Sequence, residues 1–185
     1  MTDTALLLID IQNDYFPGGK YPLVGMEDAA AEAARLLEAA RRKGLGIVHV
    51  RHEDPSPEAG FFGHGTTGAQ INPAVSPQEG EPVVVKRNVN AFLDTGLDAT
   101  LKQQGVSRLV IVGAMSHMCV DAATRAALDL GYEVTVAHDA TATRDLGFGG
   151  TEVPAASVQA ALMAALEFAG AGIKNGSDIA ESWVA

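Results

Sequence analysis

The sequence predicts a three-layer α/β/α fold, doubly wound around a mainly parallel sheet of about six strands. Short apolar, partly β-branched runs alternate with helix-like segments, and the runs are apolar throughout rather than at every second residue. Strands of that kind are buried on both faces, and right-handed crossovers between them place helices on both sides of the sheet. We expect residues 1–185 to form a single domain, because no linker interrupts this alternation.

The predicted elements follow one another in regular order. The helix at 26–44 is the clearest, since acidic residues begin it, basic residues end it and Gly44 can close it. The Gly- and Pro-rich segment 53–80 has little periodicity and is either a flexible loop or a wall of the active site. The remaining prediction is strands at 5–11, 45–52, 81–87, 108–114, 132–140 and 171–176, and helices at 94–105, 119–131 and 153–170.

The composition excludes several classes of function. A formal net charge of −10 disfavours binding to nucleic acid, which needs a cationic surface. No apolar run is long enough to span a membrane and the first residues lack the basic start of a signal peptide, so we expect a cytoplasmic protein without membrane contact. The expected partners are a small-molecule substrate and further copies of the chain, because the Ala-rich helices at 119–131 and 153–170 carry more apolar residues than one buried stripe requires.

Three chemically active side chains follow predicted strands. Ligands of doubly wound folds bind outside the carboxyl ends of the strands, and Asp10, Lys86 and Cys119 all fall there. Each could be structural on its own, and a free cysteine is usually a small buried hydrophobe. Together they suit nucleophilic catalysis: the ammonium and a helix N-terminus would lower the pKa of the thiol, and Asp10 would carry its proton. The backbone N–H groups of Met115 and Cys119 could hold an oxyanion.

Three stretches carry a family resemblance: "LLLIDIQNDY" around Asp10, "VVKRNVNAFLDTGL" around Lys86, and "VGAMSHMCVDAATRAALDLGYEVTVAHDA" around Cys119. They resemble the isochorismatase-like cysteine hydrolases, the superfamily that includes nicotinamidases, N-carbamoylsarcosine amidases and streptothricin hydrolases. The resemblance implies a catalytic triad in which Asp10 transfers protons, Lys86 acts electrostatically and Cys119 is the nucleophile. It also implies a cis peptide bond before Met115, which turns that N–H group into the oxyanion hole.

One departure from the family pattern concerns metal binding. Nicotinamidases carry an Asp-x-His metal motif after the second strand, whereas this chain reads "HVRHED" at 49–54. His52 and Asp54 could still be ligands, since alternate residues of a strand share a face. No third ligand stands at a suitable spacing, so we expect neither a metal nor another cofactor.

Four further residues are candidates for contact with the substrate, namely Phe16, Phe61, Asn88 and His117. His117 stands two residues before Cys119, but we interpret it as a pocket residue because Asp10 and Lys86 already account for a thiolate.

The preferred interpretation is a cysteine-dependent hydrolase of C–N bonds in a small amide, ureido or cyclic amide, acting through an acyl-enzyme on Cys119. One alternative is enol-ether hydrolysis of the isochorismatase type, which needs the acid but no thiol. Another is a non-catalytic or redox-sensing protein on the same fold, with Cys119 as an oxidisable thiol.

Overall fold

The central sheet confirms the predicted fold class. The computed structural model describes residues 3–183, in which six parallel strands lie in the order β3-β2-β1-β4-β5-β8. The order runs outward in both directions from β1 and β4, as in a doubly wound fold. The strands of this sheet are β1 (Thr4–Ile9), β2 (Gly46–His52), β3 (Val83–Lys86), β4 (Arg108–Ala114), β5 (Glu133–Ala142) and β8 (Gly172–Lys174).

Helices cover both faces of the sheet, because side chains of successive strand residues point to opposite sides. In β1, Leu6 and Leu8 pack towards one face, where the core includes residues of α1 and α5, while Leu7 and Ile9 pack towards the other, with residues of α2, α3 and α4. Among residues 3–183, no helix combines the length and apolar composition needed to cross a membrane. The helices are α1 (Met26–Lys43), α2 (Leu97–Gln103), α3 (Asp121–Asp129), α4 (Ala155–Phe168) and α5 (Gly176–Ser182).

The structure differs from the sequence prediction where elements are short or irregular. A β-hairpin formed by β6 (Leu146–Phe148) and β7 (Thr151–Val153) precedes α4, and α5 follows β8. Strands of three residues and a helix of seven are too short to show a clear apolar period. The predicted helix from Cys119 begins only at Asp121, because residues Ser116–Val120 form a π-helical turn. That turn carries the thiol.

Gly113 lets the end of β4 approach the end of β1. Its φ is +122°, in a region that favours glycine, and a Cβ atom there would overlap the carbonyl oxygen of Ile9. The pairing of β4 with β5 also shifts between Ile111 and Gly113. Since Ile9 immediately precedes Asp10, this glycine fixes how closely the turn with the thiol stands to the carboxylate.

We expect Gly113→Ala to lower the free energy of unfolding by about 2–4 kcal/mol, since it combines an unfavourable φ with a backbone overlap. The matched control is Gly60→Ala, at a site where a Cβ atom would meet nothing within 4 Å. Urea denaturation of both variants measures the difference. Equal stability of the two variants would show that β4 can move away from β1 at little cost.

Candidate active site

Asp10, Lys86 and Cys119 meet at the carboxyl edge of the sheet. Asp10 directly follows β1, Lys86 ends β3, and Cys119 lies in the turn after β4. Lys86 Nζ is 2.7 Å from Asp10 Oδ2 and 3.3 Å from Cys119 Sγ. The exposed fractions are 0% for Asp10, 1% for Lys86 and 6% for Cys119. A carboxylate, an ammonium and a thiol therefore share one nearly dry site, in which Lys86 touches both of the others.

The Lys86 ammonium has two more neighbours besides Asp10 and Cys119. Its Nζ donates to the Asn88 carbonyl at 3.2 Å and lies 3.0 Å from His52 Nδ1. Burial favours the neutral amine, but the charges of Asp10 and Cys119 outweigh it, so the pKa of Lys86 is raised above its usual value. The charged form of Lys86 is therefore favoured at the centre of the site.

Asp10 leaves the strand through an unusual backbone conformation. Its φ is +51°, in the left-handed region that aspartate tolerates better than most residues. Its N–H group still donates to the carbonyl of Val50 at 3.0 Å, which is the last backbone hydrogen bond between the β1 segment and β2. A fully buried carboxylate needs a counter-charge, and Lys86 supplies it.

The pKa of Cys119 differs from the sequence-based expectation. Burial raises the pKa of the thiol to about 12, the Asp10 carboxylate raises it further, and Lys86 opposes both. Lys86 lowers the pKa as expected, but the expectation of a net pKa below the usual thiol value is wrong, because desolvation of the sulfur dominates. The raised pKa favours the thiol form of Cys119 beside the ion pair of Asp10 and Lys86.

The four predicted substrate contacts lie in different surroundings. Phe61 stacks on Tyr21 with ring centroids 4.7 Å apart, while Phe16 is half-buried against the core. Asn88 contributes its carbonyl to Lys86, and its side-chain amide is 3.5 Å from Asp94. His117 Nδ1 lies 2.6 Å from Thr143 Oγ1. His117 therefore contacts the residue that directly follows β5.

The turn that would form the oxyanion hole begins with a cis peptide bond between Ala114 and Met115. The Met115 carbonyl accepts hydrogen bonds from the N–H groups of Met118 and Val120, at 3.0 and 3.2 Å. Ser116 donates its hydroxyl to the Ala142 carbonyl at 3.1 Å, which ties the turn to β5. The backbone around Cys119 is therefore held from two sides.

Three residues of the site were not predicted from the sequence, namely Gln12, Tyr15 and His52 as a partner of Lys86. Tyr15 is 1% exposed, and burial together with the charges of Asp10 and Cys119 raises its pKa, so this tyrosine lies close to both residues. Gln12 is completely buried. The sequence does contain one sign of Gln12's role, which is an amide placed two residues after Asp10. A buried amide at that position must form hydrogen bonds with neighbouring segments.

The middle part of segment 53–80 forms a wall that is hydrogen-bonded to the turn after β1. Asp14 Oδ2 accepts a hydrogen bond from the Phe62 N–H group at 2.6 Å, and Asn13 and Asn72 join side chains at 3.0 Å. A Cβ atom at Gly68 would overlap the Asp14 carboxylate, so the wall lies directly against the turn after β1. Phe61 and Phe62 in this wall pack on Tyr15, with ring centroids 5.9 and 4.5 Å apart.

The side chains of His52 and Asp54 are occupied by protein contacts. His52 Nδ1 faces the Lys86 ammonium, and Asp54 Oδ1 accepts from the Ser56 N–H group at 2.8 Å. Within residues 3–183, no three side chains of His, Cys, Asp or Glu cluster closely enough to hold a metal ion. The residues present do not fit a metal site of the nicotinamidase type.

Comparison with known proteins identifies the family of this chain. Residues 4–166 match the family model of the isochorismatase domain. The isochorismatase family protein YddQ of Bacillus subtilis is 46% identical over 93% of this chain and 96% of its own length. A streptothricin hydrolase of Streptomyces noursei is 38% identical over 77% of this chain, which spans only 50% of that protein. The crystal structure of an isochorismatase hydrolase from Oleispira antarctica has 56% identity and a TM-score of 0.93, with 96% of both chains covered.

The fold and the family match define a hydrolase built on a doubly wound sheet. The chain belongs to the isochorismatase family.

The opposing effects of Asp10 and Lys86 on the thiol are testable. Asp10→Asn removes a charge that raises the pKa of Cys119, so alkylation by iodoacetamide should become faster at a fixed pH below that pKa. Lys86→Met removes a charge that lowers it, so alkylation should become slower. A neighbouring charge shifts a pKa by about 1–3 units. At pH 8 the thiolate fraction, and with it the alkylation rate, should therefore change by about tenfold or more.

Because Cys119 is the single cysteine of the chain, Cys119→Ser serves as the unlabelled control. Shifts of both variants in the same direction would contradict the electrostatic arrangement.

Proposed function

We propose that this protein is a cysteine-dependent hydrolase of carbon–nitrogen bonds in a small amide, ureido or cyclic amide substrate. The observation that carries the proposal is the contact of the only thiol, Cys119, with a buried ammonium, Lys86, that also pairs with Asp10. Since Cys119 is only 6% exposed, a small substrate fits better than a polypeptide. A relative that is a streptothricin hydrolase supports hydrolysis of a small molecule.

The first half-reaction transfers one proton and forms one bond. Asp10 takes the proton of Cys119, and the thiolate sulfur attacks the carbonyl carbon of the substrate. The Met115 and Cys119 N–H groups stabilise the oxyanion of the tetrahedral intermediate. The C–N bond then breaks, and the leaving nitrogen takes the proton from Asp10, so that ammonia or an amine departs and a thioester remains on Cys119.

The second half-reaction returns the site to its starting state. Asp10 accepts a proton from water, the resulting hydroxide attacks the thioester, and the acyl group leaves as a carboxylic acid. Cys119 regains a proton from Asp10. Lys86 keeps its charge throughout, because its pKa is raised above the ordinary lysine value.

This assignment of roles conserves charge in a buried site. Before proton transfer the site holds a carboxylate, an ammonium and a thiol, and afterwards it holds a carboxylic acid, an ammonium and a thiolate. The total is zero in both states, so the reaction moves a charge by a short distance without creating a new one. Lys86 lies within 3.3 Å of both the carboxylate and the sulfur, so it stabilises each state in turn.

The same geometry disfavours the two alternatives. Enol-ether hydrolysis needs an acid but no nucleophile, so it leaves the contact between the Cys119 thiol and the Lys86 ammonium without a role. A redox sensor needs an exposed thiolate of low pKa, whereas the pKa of Cys119 is raised to about 12 by burial.

We expect Cys119→Ala and Cys119→Ser to lower amide turnover by about 10⁴-fold or more while the thermal melt stays within a few degrees of wild type. A panel of small amides, ureido compounds and cyclic amides is screened for release of ammonia or amine. Met118→Ala is the matched control, because its side chain is 39% exposed on the same turn. Full activity of Cys119→Ala would overturn the covalent mechanism.

We further propose that the protein assembles as a homodimer or a higher closed oligomer. Helix α4 exposes Ala156, Ala160, Ala161, Ala164 and Ala165 beside a single charged residue, Glu167. Phe168 at its end is 95% exposed, and Phe148 on the preceding hairpin is 90% exposed. An apolar face of this size on a chain of net charge −10 suits contact with an identical surface.

Light scattering at micromolar concentration should therefore give at least twice the 19.2 kDa of one chain. Phe168→Glu should reduce this mass, because it places a charge in the proposed contact, while Lys43→Glu at the end of α1 should not. A monomeric mass for the wild type would contradict the proposal.

A further inference from the structure

Four acceptors surround the Lys86 ammonium, which has three N–H donors. Two of them, Asp10 and Cys119, exchange a proton in the proposed reaction. The other two, His52 Nδ1 at 3.0 Å and the Asn88 carbonyl at 3.2 Å, are neutral and take no part in that exchange. These neutral contacts hold the nitrogen in place whichever partner carries the negative charge.

His52 reaches Lys86 because the two residues are direct neighbours in the sheet. His52 ends β2, Lys86 ends β3, and they are paired in the parallel register. An ammonium can only donate, so Nδ1 must be the unprotonated nitrogen and the ring must be neutral with its proton on Nε2. In agreement with this tautomer, burial and the charge of Lys86 lower the pKa of His52, against the smaller opposite effects of Asp10 and Asp54.

The side chain of Gln12 forms the backbone hydrogen bonds to His52 that a neighbouring strand would otherwise form. Backbone pairing of β1 with β2 ends where Asp10 turns away. Beyond that point the Gln12 side chain continues the pairing: its Oε1 accepts from the His52 N–H group and its Nε2 donates to the His52 carbonyl, both at 2.8 Å. The same Nε2 donates to the carbonyl of Ala69 in the wall, also at 2.8 Å. One buried amide therefore fixes the end of β2.

We infer that His52 is a positioning residue of the active site: its Nδ1 holds the Lys86 ammonium between Asp10 and Cys119, and Gln12 holds His52. Without this acceptor only the Asn88 carbonyl remains as a neutral contact, and the ammonium can shift towards Asp10, where the attraction between opposite charges is strongest. The sulfur would then lose the cation that favours its thiolate. The consequence for turnover depends on the proposed function, but the consequence for thiol reactivity does not.

The test compares three replacements of His52 that differ in where they place an acceptor. In His52→Asn the side-chain oxygen can occupy the position of Nδ1, whereas in His52→Gln it reaches the position of Nε2. His52→Leu has no acceptor. The first measurement is the rate of iodoacetamide alkylation of Cys119 against pH, and the second is kcat and KM on an amide substrate, each with a thermal melt.

We expect His52→Asn to stay within about threefold of wild type in alkylation rate and kcat. His52→Gln and His52→Leu should each lose about tenfold in both, which corresponds to a shift of about one pKa unit of the thiol. KM should change little, because the contact orients a reacting group rather than the substrate. Gln12→Met should give a loss in the same direction together with a lower melting temperature, since it leaves the His52 peptide unpaired.

Two results would overturn the inference. One is alkylation of His52→Leu and His52→Gln at the wild-type rate. The other is an equal loss in the Asn and Gln variants, which would mean that the position of the acceptor does not matter. If no amide is turned over by the wild type, the proposed function fails, whereas the alkylation series still decides the role of His52. If His52→Leu does not fold, the Asn and Gln variants make the comparison.

Discussion

The ion pair between Lys86 and Asp10 is the interaction on which the rest of the active site depends. Two opposite charges with 0% side-chain exposure lie 2.7 Å apart, and either one alone would be costly to bury. This pair makes an interior of net zero charge, into which a thiol can be brought without a further charge. Burial raises the pKa of Cys119 most, and within this site the carboxylate raises it further while the ammonium lowers it. The thiol is therefore favoured over the thiolate.

The sheet contributes to this balance through three strand ends. Asp10 leaves β1 with a positive φ, Lys86 ends β3 at the pairing position of His52, and Gly113 lets β4 come close to Ile9. None of these features acts on the reacting atoms directly. Each fixes a distance between charged groups, and such distances determine electrostatic energies strongly in a medium that excludes water. The backbone at the edge of the sheet therefore determines the electrostatic interactions of the site.

The sequence predicted the regular part of the molecule and the meeting of Asp10, Lys86 and Cys119 at one edge of the sheet. Continuous apolar runs such as the one ending at Ile9 are typical of strands buried on both faces, so the parallel sheet and its carboxyl edge followed from pattern alone. The pKa of Cys119 did not follow, because it depends on how much water the folded chain removes from around the sulfur.

The contacts of Gln12 and His52 did not follow from the sequence either. Gln12 and His52 are 40 positions apart, and His52 and Lys86 are 34 positions apart. The hydrophobic periodicity of a short segment gives no information about contacts over such distances in the sequence. Short or irregular elements, such as the π-helical turn at Ser116–Val120, were missed for a similar reason, since tertiary contacts rather than propensity decide them.

The wall 53–80 has a consequence for anyone who wishes to give this hydrolase a new substrate. Its middle part is bonded to the turn that follows Asp10: Phe62 to Asp14, and Ala69 to Gln12. A change there would also disturb the turn that positions the Asp10 carboxylate, so the wall cannot be altered independently of that carboxylate. Residues 55–58, by contrast, are exposed and precede these attachments. Diversified loops grafted at 55–58 would leave the attachments in place, which makes this short segment the natural starting point for directed evolution.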